Sequence, residues 1–214
     1  MSSEINITVL ELLSSKICHD LISPVGAVAN GVEFLEEMGA DAGQDVTDLI
    51  AYSAKQSSSK LQAFRMAYGA GGADSGIKPE DVHKILGGLI ELDGKVTQNW
   101  DPYAPIGPEY ERPPALGKIL MLCFLTCIEA LPKGGEITAT PEGTEMLTIT
   151  AKGSDAGLKP LSLKTLQGDM AIDGLDPKLV HGYMVNHAAS TYGYGITCTS
   201  NENDMFSLSL QLPA

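Results

Sequence analysis

The sequence predicts an α+β chain: a helical hairpin that joins a second copy in an intermolecular four-helix bundle, followed by an α/β sandwich. Three observations predict it. Apolar residues recur in steps of three or four through about 4–38, and a second helix with apolar residues runs through about 45–68. The segment Gly69-Ala-Gly-Gly-Ala-Asp-Ser-Gly76 then breaks the pattern with small, flexible residues. Beyond it the pattern changes to mixed helix and strand. The division is 1–70 for a dimerisation hairpin, 71–78 for a linker and 79–214 for the α/β module.

The first helix carries Ile5, Val9, Leu13, Ile17, Leu21, Pro24, Val28, Val32 and Leu35, the stripe of a helix committed to a bundle seam. Gly39 lies just past it, and Gly39-Ala-Asp-Ala-Gly43 is a suitable stop and turn. The second helix presents Val46, Leu49, Ile50, Ala54, Leu61, Phe64 and Met66. So short a loop makes the two antiparallel neighbours. Two helices leave each stripe half covered, so a second hairpin from another copy is expected, giving a homodimer.

In the module, Pro79 with Glu80 and Asp81 suits the first turn of a helix over 79–92. A short strand over 95–100 and a proline-rich loop follow, then a strongly apolar helix over 116–131. Strands are predicted at 135–140 and 145–152, a helix at 177–191, and closing strands at 196–200 and 205–212.

Composition narrows the function classes. The 27 acidic residues against 14 basic ones give a formal charge of −13 and a pI near 4.6. A polyanion or an anionic bilayer surface would be repelled, so neither nucleic acid nor membrane is an expected partner. Cys18, Cys123, Cys127 and Cys198 form no CxxC pair or zinc-spaced cluster. Cys123 and Cys127 read as buried reduced thiols one helical turn apart. The N-terminus lacks the basic start and apolar core of a signal peptide, and no apolar run is long enough to span a bilayer. A soluble protein of a reducing compartment, the cytoplasm, is expected.

The segment with chemical potential is Ser15-Lys-Ile-Cys-His19-Asp-Leu-Ile-Ser-Pro24-Val-Gly26. His19 is two residues from Ile17 and from Leu21, roughly 200° around the helix from each, and so points away from the seam. Its own face holds Ser15, Lys16, Ile22 and Ser23, with Gly26 two turns on; Ser15, Ile22, Ser23 and Gly26 are the expected partner contacts. Asp20 is placed to accept from one imidazole nitrogen and leave the other free as a nucleophile. Lys16, one turn back, is a candidate for charge stabilisation. Pro24 should bend the helix just beyond the site. On these features alone, a plain surface histidine beside a kink is an equal alternative. His83 is expected on the surface of its helix, His181 and His187 share no face, and Trp100 fits either a partner contact or loop packing.

The order His19-Asp-Leu-Ile-Ser-Pro24 resembles the H-[DE]-L-x-x-P phosphoacceptor box of sensor histidine kinases, which sits on the first helix of a hairpin that precedes an ATPase-type domain. The stretch LMLCFLTCIEALPKGGEIT from Leu120 to Thr138 resembles the kinase segment where an asparagine helix enters T-P-x-G-G. The resemblance implies that His19 is the phosphoacceptor and Asp20 its adjacent acid. Ser23 falls where kinases that dephosphorylate partners keep a threonine or asparagine, making it a candidate phosphatase position.

The departures shape the expectation. Thr126 stands where the kinase asparagine would hold the nucleotide's magnesium. Asp155-Ala-Gly157 with Lys159 only partly matches the kinase D-x-G-x-G loop, and Gly193-Tyr-Gly195 follows a helix instead of preceding one. The α/β module therefore reads as a degenerate ATPase-like domain. The whole resembles the ChpT class of dimeric histidine phosphotransferases from alphaproteobacteria. That resemblance implies phosphoryl relay from the receiver domain of a CckA-like hybrid kinase to CtrA-like and CpdR-like response regulators, with Mg2+ supplied by the receiver. An ATP-dependent autokinase with an unusual pocket, and a non-catalytic dimeric scaffold for receiver domains, are the alternative readings.

Overall fold

The computed structural model of the protein describes residues 6–108, 112–202 and 204–213. Helix α1 spans Ile7–Met38, and Asn6 caps it by accepting from the Thr8 N–H at 2.9 Å. Residues 4 and 5, where the sequence reading begins this helix, lie outside the described residues. Gly39 ends it at φ 55°, a conformation open to glycine. After one 3-10 turn, α2 (Gly43–Tyr68) returns antiparallel along α1. The helices approach closely at Gly31, which is buried and where an added Cβ would sit 2.5 Å from Ile50 Cγ1.

A 3-10 turn at Ala70–Ala73 follows, with Gly72 buried against the Met66 carbonyl. Helix α3 (Pro79–Ile90) opens with proline in its first turn, and Asp81 accepts from the Lys78 N–H at 2.9 Å. Strand β1 (Val96–Gln98) leads through a loop to α4 (Leu116–Glu129). Strands β2 (Gly135–Glu142) and β3 (Met146–Lys152) form a hairpin, then come helices α5 (Pro160–Gln167) and α6 (Val180–Thr191). Strands β4 (Gly195–Glu202) and β5 (Met205–Gln211) close the chain. Asn203, between them, lies outside the described residues.

The sheet order is β1-β2-β3-β5-β4, antiparallel except where β1 meets β2. Leu147, Ile149 and Ala151 on β3 and Phe206, Leu208 and Leu210 on β5 are buried, all facing the helices. The alternate positions hold Thr148, Thr150, Ser207 and Ser209, whose hydroxyls pair across the strands on the half-buried outer face. This is the period-two pattern of a sheet covered on one side.

Helix α4 is the central element, apolar almost all round, with Ile119, Leu120, Met121, Leu122, Cys123 and Phe124 each at most 1% exposed. Burial pushes the Cys123 thiol up to about 12 and raises Cys127 as well, so both are inert reduced thiols. Ala63, Met66 and Ala67 near the end of α2 enter the same core. The hairpin is thus packed onto the module along one apolar surface.

Three details differ from expectation. Helix α5 lies where the sequence pattern predicts no element, and the helix predicted from 177 begins at Val180. His83 is half-buried rather than on the surface, its ring 5.1 Å from that of Trp100. Trp100 itself is packing: it lies on Phe124 and donates its indole N–H to Gln98 Oε1 at 2.8 Å.

Candidate functional site

Pro24 is the one proline inside α1, and the turn before it carries His19. The His19 side chain is 86% exposed, standing off the hairpin as the helical-wheel arithmetic requires. Its Nδ1 faces Asp20 Oδ1 at 3.4 Å, long for a hydrogen bond. A neutral ring with its Nδ1 proton directed at that carboxylate turns the Nε2 lone pair to solvent.

Asp20 is held from three directions. Beside the His19 contact, its Oδ2 lies 3.5 Å from Lys16 Nζ, and that ammonium is also 3.4 Å from Glu129 Oε1 at the end of α4. The Asp20 backbone carbonyl accepts from Lys60 Nζ of α2 at 2.9 Å. Lys16 therefore links the His19–Asp20 turn to the α/β module, with its side chain 17% exposed.

Ser15, Ile22 and Ser23 are exposed, Ile22 at 70%, and Gly26 is half-buried with nothing within 4 Å of a would-be Cβ. All four line α1 around or beyond His19, and none contacts the imidazole by a hydrogen bond. The functional neighbours that the sequence reading missed come from elsewhere. A groove of about 1020 Å³ opens between α1 and the module, bounded by Lys16, His19, Asp20, Glu129, Leu158, Lys159, Leu161, Asp176 and Lys178. Its far wall is α5 and the segment before α6. Leu161 is 53% exposed there, an apolar side chain beside three lysines.

Beneath this groove a buried polar chain joins three elements. His181 of α6 is 1% exposed, with Nε2 3.0 Å from Thr126 Oγ1 and Nδ1 2.8 Å from the Tyr68 hydroxyl. Thr126 donates its one hydroxyl proton to the Leu122 carbonyl at 3.0 Å. It must then accept from His181 Nε2–H, which leaves Nδ1 to accept from Tyr68. The neutral ring is fully satisfied in this tautomer. Burial is the largest influence on it and lowers its pKa from 6.5. Burial also pushes the Tyr68 phenol upward, helped by Glu129 and Asp20. Thr126, at the position where the kinase resemblance puts asparagine, is 2% exposed and committed to this chain.

Among the described residues, no three His, Cys, Asp or Glu side chains gather as a metal cluster, and no helix is long and apolar enough to cross a membrane.

Comparison with known proteins gives three findings. Residues 79–204 match the model of the histidine phosphotransferase C-terminal domain. The chain is 32% identical over 212 residues to the protein phosphotransferase ChpT of Brucella abortus strain 2308, covering 96% of this chain and 98% of that one. It also superposes on a bacterial phosphotransferase solved at 1.7 Å with a TM-score of 0.77 and 29% identity, covering 98% of each chain.

Proposed function

The chain belongs to the histidine phosphotransferase family, of the ChpT type, and from that premise we propose that His19 carries a phosphoryl group between the receiver domains of a phosphorelay without using ATP. The observation that carries this reading is the His19 imidazole itself: 86% exposed, with Nδ1 on Asp20 and Nε2 free at the mouth of a groove. The Nε2 lone pair attacks the phosphorus of an aspartyl phosphate in line. The bond from phosphorus to the aspartyl oxygen breaks, and its electron pair leaves with the carboxylate. The Nδ1 proton stays in place, and Asp20 offsets the positive charge of the phosphoimidazolium. Transfer onward to a second receiver is the reverse step. Magnesium comes with the receiver's acidic pocket.

Three features support the finer parts of the reading. Val25, Val28, Ala54 and Leu61 line a second groove on the hairpin, with Val25 and Leu61 each 51% exposed, an apolar face suited to a second copy in a four-helix bundle. Thr126 has its hydroxyl spent within the protein, which supports loss of nucleotide chemistry. Lys159 and Lys178 on the far wall of the groove suit the acidic rim of a receiver. The partners proposed are the receiver of a CckA-like hybrid kinase and CtrA-like and CpdR-like regulators, all in the cytoplasm.

The test is incubation of the dimer with labelled ATP alone and, separately, with a phosphorylated receiver domain. Label is expected on His19 only in the second case, and none on a His19→Ala protein that remains folded. Label from ATP alone would make the chain an autokinase. Receiver binding with no acid-labile phosphate on the chain would make it a scaffold.

A further inference from the structure

Proline has no N–H, so Pro24 cannot give the Asp20 carbonyl, four residues earlier, its helical donor. A proline inside a helix leaves that acceptor to be satisfied from outside. In this protein the donor is the Lys60 ammonium, 2.9 Å away on the partner helix of the hairpin and part-buried. The orphaned carbonyl belongs to the same residue whose carboxylate faces His19 Nδ1. Its side chain is braced by Lys16, which Glu129 holds in turn. Asp20 is therefore clamped at both ends, the backbone by α2 and the carboxylate by the link to α4.

We infer that Lys60 is a positioning residue for phosphoryl transfer: it replaces the backbone donor that Pro24 withholds, and so fixes the Asp20 turn that orients the His19 ring. The inference rests on His19 being the phosphoacceptor, and it goes beyond that reading by assigning work to a residue 40 positions away on the second helix. The Lys60 ammonium is bonded to the Asp20 carbonyl and not to the imidazole, so it acts through the turn. Its loss lets the Asp20 peptide and carboxylate wander, which lowers the fraction of rings with Nε2 correctly presented, without removing a partner contact.

Four variants of the full chain test this: Lys60→Met, Lys60→Arg, Pro24→Ala and the Pro24→Ala/Lys60→Met double. Each is phosphorylated with phosphoramidate, a small donor that needs no receiver, and the initial rate is followed against donor concentration. Lys60→Met is expected to lower the limiting rate about tenfold while the half-saturating concentration changes less than about twofold. Lys60→Arg should recover most of the rate, because it restores a charged donor. Pro24→Ala returns the missing N–H, so Lys60→Met in that background should cost less than about twofold. A Lys60→Met protein with the wild-type rate, or with the same loss in both backgrounds, overturns the inference. A second readout needs no phosphoryl donor: nitrogen-15 spectra of the unphosphorylated proteins report the His19 tautomer. Lys60→Met should shift neutral His19 from the Nδ1–H towards the Nε2–H form, and an unchanged tautomer population overturns the inference even if receiver transfer at His19 proves wrong.

Discussion

Acidification from about pH 7.5 to about pH 5.5 is expected to weaken the fold specifically through His181. In the unfolded chain this ring titrates near 6.5, whereas burial in the folded protein lowers its pKa. Between the two values the unfolded state binds a proton that the folded state refuses. Stability therefore rises with pH across that window and is lost as pH falls below 6.5. The surroundings shape the depth of the effect: Glu129 and Asp20 favour the charged ring, Lys16 opposes it, and burial outweighs them. One proton refused at about pH 5.5 costs at most about 1.4 kcal/mol relative to about pH 7.5. For a chain of this size that is a shift of about 3–6 °C in Tm.

The assay is urea unfolding followed by circular dichroism at one protomer concentration, for wild type and His181→Gln at both pH values. Glutamine can donate to Thr126 and accept from Tyr68, so it keeps the hydrogen-bond pattern without titrating. Surface carboxylates titrate alike in both proteins and cancel in the difference. Wild type should lose up to about 1.4 kcal/mol more than His181→Gln on acidification. Equal losses, or a larger loss in the variant, would refute a neutral buried His181.

Other expectations follow from the packing and the site. Phe124→Ala removes a fully buried ring from the central helix and should destabilise by about 3–5 kcal/mol in the same unfolding assay. Gly72→Ala forces a Cβ against the Met66 backbone carbonyl, so it should cost at least about 1–3 kcal/mol, where a free linker would tolerate it. Leu61→Glu places a charge on the half-exposed apolar face of α2 and should shift the protein towards monomer in sedimentation velocity, with helix content retained. Glu129→Gln loosens the Lys16 link while leaving His19 and Asp20 untouched, and should slow receiver-dependent labelling by about threefold to tenfold without abolishing it.

The hairpin was legible because its information is local. The stripe from Val9 to Leu35, the stop at Gly39 and the exposure of His19 all follow from spacing along one helix. The geometry of the His19 turn was legible for the same reason, since Asp20 adjoins His19 and Pro24 lies one turn on. What escaped is what folding brings together. Glu129 meets Lys16 across the hairpin–module boundary, Lys60 meets Asp20 across the hairpin, and His181 meets Tyr68 at a separation of 113 residues. No helical wheel contains such pairs. Helix α5 is a different failure: two turns are too few for periodicity to register, although Pro160 at its start and Gly168 at φ 81° at its end are boundary signals present in the sequence. Because α5 forms a wall of the groove, missing it hid the groove as well.

The most direct test is phosphorus-31 NMR of the protein after phosphoryl transfer from a receiver domain, with the attachment point read from the chemical shift and confirmed by its absence in His19→Ala. An imidazole that keeps Nδ1 against Asp20 should carry the group on Nε2 as a single acid-labile species. Phosphate on Nδ1, on an aspartate, or on any residue that survives removal of His19 would contradict it.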